Sequence, residues 1–218
     1  LKAAWNYFVN KKGVFCAGPL EGMAFFDLNQ NGGKVNFQLH FSPICIDDKY
    51  GYDAYDLYDY PRVDGFTILP TLLHPKSRGT VSLSSSDPKD APIIQPNFLE
   101  EKEDLDQLVK GGKLVFKIMK DDALRKHTLR DRLPFDRDSE ESLIEHIKKT
   151  LETVYHPVGT CKMGVDSMAV VDPMLKVQGI SNLRVVDASI MPLIVSGNTN
   201  APVYMIAEKA ADMILNNF

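Results

Sequence analysis

No apolar run in this chain of 218 residues approaches the ~20 residues that a membrane-crossing helix needs. Charge of one sign is missing too. Its 25 Lys and Arg stand against 29 Asp and Glu, mixed along the chain for a net −4, so there is no basic footprint for nucleic acid. Cysteine is scarce. Cys16, Cys45 and Cys161 are odd in number, far apart and in no ligand spacing. They point to neither a zinc site nor a full disulfide framework; one disulfide stays open, and no metal site is expected. No internal repeat or low-complexity stretch is present. The chain opens Leu1-Lys-Ala-Ala-Trp5, without an initiator methionine or a charged-then-apolar leader. That start reads as internal to something longer, and the missing leader says nothing of a parent protein.

What is present suffices for one globular core or two small subdomains, with 44% of residues hydrophobic and 25% charged. Residues 3–9 read as a short helix and 11–19 as a Gly- and Pro-punctuated loop. Residues 22–28 suit a buried strand, and 29–33 a turn. Val35, Phe37, Leu39 and Phe41 alternate with Asn36, Gln38 and His40, the clearest period-2 segment, with one apolar and one polar face. Residues 46–64, dense in Asp and Tyr, read equally as a lid and as a solvated connection. Their acids lack the spacing of a calcium loop. Residues 66–73 form a strand that Pro70 confines to an edge or bulge, 75–79 a turn, 80–84 a third strand and 87–97 a loop. A mostly antiparallel sheet follows.

Leu105, Leu108, Val109, Gly112, Val115, Phe116 and Met119 fall at helical spacing, with a weak point at Gly111-Gly112. A second helix is expected from about Asp138, with Glu141 completing a capping box and Leu143, Ile144, Ile147 and Leu151 inward. After residue 150 the pattern changes. Residues 169–172 and 183–187 are short β-branched runs, each ending at an aspartate. A closing helix places Val203, Ile206, Ala207, Ala210 and Ile214 on one face, with Asn200 as N-cap and Pro202 in the first turn.

The last quarter carries motifs. They are His156-Pro-x-Gly-Thr160, Met163-Gly164, Val171-Asp172-Pro173, Leu183-Arg-Val-x-Asp-Ala-Ser189, Met191-Pro192 and Asn198-Thr-Asn-Ala-Pro202. Upstream stand Pro75-x-Ser-Arg-Gly79 with Leu83, Asp87-Pro88 and Pro96-Asn97. Together they resemble, in order, the C-terminal portion of the glucose–methanol–choline (GMC) FAD oxidoreductases. They cover most of residues 66–218, while 1–65 match only loosely. Leu20-Glu-Gly-x-Ala-Phe25 and the stretch 201–209 look most like insect members such as glucose dehydrogenase or ecdysone oxidase, which favours a secreted parent.

The resemblance implies an α+β architecture. A substrate-domain sheet flanked by helices, in residues 1–154, would be joined by residues 155–218, the C-terminal strand–helix segment of an FAD-binding α/β domain. The N-terminal nucleotide-binding part of the family is expected to be missing. The family's Gly-x-Gly-x-x-Gly turn, which lets backbone approach the pyrophosphate at a helix N-terminus, has no counterpart among the 14 glycines. Tight FAD binding by these residues alone is not expected.

The implied reaction oxidises an alcohol (a sugar, steroid or other CH–OH donor) to a carbonyl, with hydride passing to flavin N5 and then to oxygen, a quinone or another acceptor. A base must take the hydroxyl proton, and histidine suits that task. His156 matches the family's catalytic histidine, and Asn198 its second position, where a carboxamide orients the substrate oxygen. The cofactor-binding set implied is Asp187, Ala188, Asn198, Thr199, Asn200 and Ala201, the last three through backbone N–H groups at a helix N-terminus. The bland readings are a structural His-Pro, a turn asparagine at Asn198 and a turn-capping Asp187. His40 reads as a polar-face strand residue, His74, His127 and His146 as surface or loop residues, and Cys161 as a small buried filler. The rival function is a non-catalytic binding or interaction module derived from such an enzyme.

Overall fold

A computed structural model describes residues 2–16, 18, 20–30, 32–45, 58, 63–130, 132 and 135–216. They group into two compact units, residues 1–72 with 105–152 and residues 73–104 with 153–218. The segment 73–104, which the sequence reading grouped with 1–154, thus lies with the motif-bearing quarter. The lid or connection expected at 46–64 falls almost wholly outside the described residues.

The first unit opens with α1 (Lys2–Phe8) and carries an antiparallel sheet of β1 (Gly22–Phe26), β2 (Phe37–Ser42) and β3 (Thr67–Leu72), in that spatial order. The turn before β2 is held by Asp27, which accepts the N–H groups of Asn29 and Gly33, and by Asn36, which accepts that of Leu28. β1 is not the buried strand expected. It lies at the sheet edge, and Met23 and Phe25 are half exposed. β2 departs the other way. Its polar face, expected in water, is buried, with Gln38, His40 and Ser42 each only 2–3% exposed. As the central strand it has a partner on either side, and its polar groups find protein partners. Gln38 reaches Met23 Sδ at 3.4 Å, and His40 Nδ1 lies 3.2 Å from Thr71 Oγ1. Pro70 sits in β3, which among the described residues is an edge strand, the position where proline is tolerated.

Two longer helices complete this unit. α2 (Lys102–Met119) runs unbroken through Gly111 and Gly112. Leu108 and Val109 are buried on it, and Gly111 faces the Phe37 ring. A short α3 (Asp122–Arg125), not anticipated, is capped by Asp121. α4 (Glu140–Thr150) is capped by the Ser139 hydroxyl, not from Asp138, and Leu143 is its buried anchor. His146 is partly buried on α4. Its ring stacks on Phe135 at 4.5 Å between centroids.

In the second unit, β4 (Thr80–Ser82) pairs with β5 (Ile93–Gln95) in a separate antiparallel pair, so β4 does not extend the larger sheet and β5 replaces an expected loop. The runs 169–172 and 183–187 form no regular strands. They make isolated bridges, Met163 with Val171, Val171 with Val177 and Lys176 with Arg184. The β-branched residues are instead spent on a core of Val171, Leu175, Ile190, Met191, Ile206 and Ala210. α5 (Asn200–Leu215) contributes Val203, Ile206, Ala210 and Met213 to it, while Ala207 and Ile214 face out. Three of the five expected residues, Val203, Ile206 and Ala210, thus face the core, and Met213 takes the place expected for Ile214. Among the described residues, no helix is long and apolar enough to cross a membrane, and Cys16, Cys45 and Cys161 are free thiols.

Candidate active site

The second unit presents its chemistry on irregular backbone laid over that core. His156 is half-buried in the loop after α4. The residue before it, Tyr155, adopts the left-handed conformation at φ +61°, which costs a side-chain-bearing residue about 1 kcal/mol or more. A bond from the Tyr155 N–H to Thr153 Oγ1, 3.0 Å, helps hold it. Gly159 turns at φ +91° beside the Met191 carbonyl. The loop then docks by main chain. Cys161 N–H donates to Ser189 O at 3.0 Å, Met163 N–H to Ile190 O at 2.8 Å, and Gly164 N–H to Val171 O at 3.0 Å. Thus the loop carrying His156 is strapped to the segment that leads on to Asn198. Cys161 is half-buried beside this strap, not the fully buried filler expected.

Two aspartates close turns. Asp172 accepts the N–H groups of Met174 and Lys176 at 2.8 and 2.9 Å. Asp187 accepts the Ser189 N–H at 2.7 Å and its hydroxyl, capping the 3-10 turn Ala188–Ile190. Capping occupies Asp187 Oδ1, and Ala188 packs against the core. In the outer loop, Asp166 has its carboxyl held below the usual carboxylate range, first by the Met168 N–H and then by Lys162.

Asn198 is exposed and Thr199 buried. Thr199, rather than Asn200, is the N-cap of α5, and no side chain caps this helix. Asn200 and Ala201 occupy the first turn with their N–H groups uncapped, and Pro202 has none to satisfy. No hydrogen bond joins His156 to Asn198. The structure instead links the Asn198 turn to a residue read from sequence as a surface histidine. His74 Nε2 lies 2.8 Å from Ser196 Oγ. His74 directly precedes Pro75-x-Ser-Arg-Gly79, and that adjacency was the one signal available. The turn it stands on is clamped by the buried Asp104 carboxylate, which accepts the N–H groups of Lys76 and Ser77 at 2.7 and 2.8 Å.

A family model described as GMC oxidoreductase matches residues 75–207. The chain belongs to the GMC oxidoreductase family. It is 39% identical, over 99% of its own length, to an alcohol dehydrogenase [acceptor] of Pseudomonas putida, and 36% identical over 98% to an oxygen-dependent choline dehydrogenase of Cronobacter sakazakii. It spans 38% and 37% of those two proteins. Among solved structures it is similar to pyridoxine 4-oxidase from Mesorbium loti (TM-score 0.78, 30% identity, 89% of this chain and 38% of that one). It is also similar to formate oxidase from Aspergillus oryzae (TM-score 0.85, 26% identity, 99% and 41%).

GMC oxidoreductases are FAD-dependent, and the residues here fit part of that group. An uncapped helix start offers backbone donors and the positive end of a dipole to an electron-rich ring edge, without a competing side chain. A pyrophosphate cradle of the Gly-x-Gly-x-x-Gly type is not in the chain.

Proposed function

We propose that this chain supplies the catalytic His/Asn pair of an FAD-dependent enzyme that oxidises an alcohol to a carbonyl, and that a pyrophosphate-binding turn comes from residues outside it. The observation that carries the reading is the match over 75–207, which includes His156 and Asn198 in their motifs. Support comes from the main-chain strap between the His156 loop and residues 189–190.

Bound FAD would supply the acceptor for the hydride leaving the alcohol carbon. His156 takes the hydroxyl proton on an imidazole nitrogen, so that the C–H electron pair departs as the carbonyl forms. The Asn198 amide donates to the substrate oxygen and fixes the C–H bond in line. The N–H groups of Asn200 and Ala201 would hold the cofactor where negative charge accumulates on it, a helix-end contribution of about 0.3–1 kcal/mol, and up to ~2 where partly buried. Ala188 and the capped Asp187 turn would help to hold it. The substrate is an alcohol, and the final electron acceptor is oxygen, a quinone or a similar oxidant.

The direct test is anaerobic mixing of the full-length flavoprotein with a panel of alcohols. Bleaching of the yellow chromophore supports the reading. A panel that leaves it oxidised, with FAD bound, favours the non-catalytic module. In the same assay Asn198→Ala is expected to slow flavin reduction about 10–100-fold, since misplacement of a reacting group by about 1 Å costs up to ~10²-fold. An unchanged rate would remove Asn198 from the mechanism.

A further inference from the structure

We propose that His74 is a positioning residue, which through Ser196 holds in place the turn that carries Asn198 and begins α5. The proposal rests on the alcohol-oxidation reading of the His156/Asn198 pair. The two partners are 122 residues apart in sequence and 2.8 Å apart in space, within one compact unit. Among the described residues, this is the one side-chain hydrogen bond made anywhere between residues 192 and 200. The chain around Asn198 is otherwise tied down by the burial of Thr199 and by the Val203 N–H donating to Thr199 O at 3.0 Å, which belongs to the helix itself. Among the described residues, the stretch between Pro192 and the helix has no other lateral hydrogen-bonded tie.

His74 is placed to supply that tie because its own backbone is fixed on both sides. Leu73 before it is buried. After it, Lys76 and Ser77 give their N–H groups to Asp104, and Arg78 closes the turn by donating to Pro75 O at 2.7 Å. The imidazole is therefore held on a rigid base and reaches across to a hydroxyl at the rim of the Asn198 turn. Either the Ser196 hydroxyl donates to a neutral ring nitrogen, or a ring N–H donates to the hydroxyl oxygen, and both polarities hold the turn. Ser196, which His74 meets, is two residues before Asn198, so His74 acts on the carboxamide through the backbone and not by touching substrate.

The test uses the full-length holoenzyme with His74→Phe, His74→Gln and Ser196→Ala. His74→Phe keeps the ring shape and loses the bond. His74→Gln keeps a group able to bond Ser196. Ser196→Ala removes only an exposed hydroxyl and carries the test if His74→Phe misfolds. Amide hydrogen exchange is measured on peptides spanning 193–203, and flavin reduction by stopped flow. The expected result is faster exchange in His74→Phe and Ser196→Ala, restored in His74→Gln. Reduction should fall about 10-fold in His74→Phe and in Ser196→Ala, stay near wild type in His74→Gln, and fall no further in the His74→Phe/Ser196→Ala double variant, through kcat rather than KM. Wild-type exchange in both variants, faster exchange without slower reduction, or losses that multiply in the double variant would each overturn the proposal. If no alcohol reduces the wild-type flavin, the functional reading itself has failed, and exchange still decides whether His74 holds the turn.

Discussion

Replacing His156 with alanine is expected to slow flavin reduction by an alcohol about 10²–10⁴-fold, the usual contribution of a positioned general base. Binding of the alcohol should be nearly untouched, because a base acts where the proton moves in the transition state. Two features of the structure make the loss specific. His156 is half-buried on a loop whose far end is bonded by main chain to Ser189 and Ile190, so deletion of the imidazole leaves the strap and the core beneath it in place. The strained Tyr155 just before it aims the residue by backbone conformation, which alanine also retains. If His156→Ala reduces at the wild-type rate, the mechanism proposed here is wrong.

The longer helices α2 and α4 were legible because each buries one face. The α2 pattern from Leu105 to Met119 and the α4 anchor Leu143 follow from period alone. The strands were legible by period but not by environment. Alternation in β2 marked two chemically different faces, yet it does not tell whether the polar one meets water. That depends on what covers the face, and Met23 and Thr71 of the flanking strands meet Gln38 and His40 there. The runs ending at Asp172 and Asp187 looked like strands because Val favours them. In the structure their backbones are satisfied by turns, with Asp172 accepting the N–H groups two and four residues on and Asp187 that two residues on. Long-range partners left no local trace at all. Asp104 clamping Lys76 and Ser77, and His74 meeting Ser196, join residues whose separation no periodicity encodes.

The glycine pair in α2 separates packing from helix propensity, because both positions have the same backbone geometry and different neighbours. Glycine to alanine within a helix should stabilise by about 1 kcal/mol on propensity. At Gly112 an added Cβ would meet Leu143 Cδ1 at 3.1 Å, a contact that a small shift of a methyl relieves. Gly112→Ala is therefore expected to leave stability within about 1 kcal/mol of wild type. At Gly111 the same Cβ would stand 2.1 Å from Phe37 Cζ and 2.6 Å from Cε1, far inside the ~3.5–4.0 Å of carbon–carbon contact. Phe37 has no free direction in which to retreat. It is fully buried and packs against Phe26 at 5.7 Å between ring centroids. Overpacking of this kind costs about 1–3 kcal/mol or more, which exceeds the propensity gain. Gly111→Ala should lower the thermal midpoint of the full-length protein, whereas Gly112→Ala should not. Equal shifts in the two variants would mean that the Phe37 ring does not seat on Gly111, and that the helix and the central strand are held together by something else.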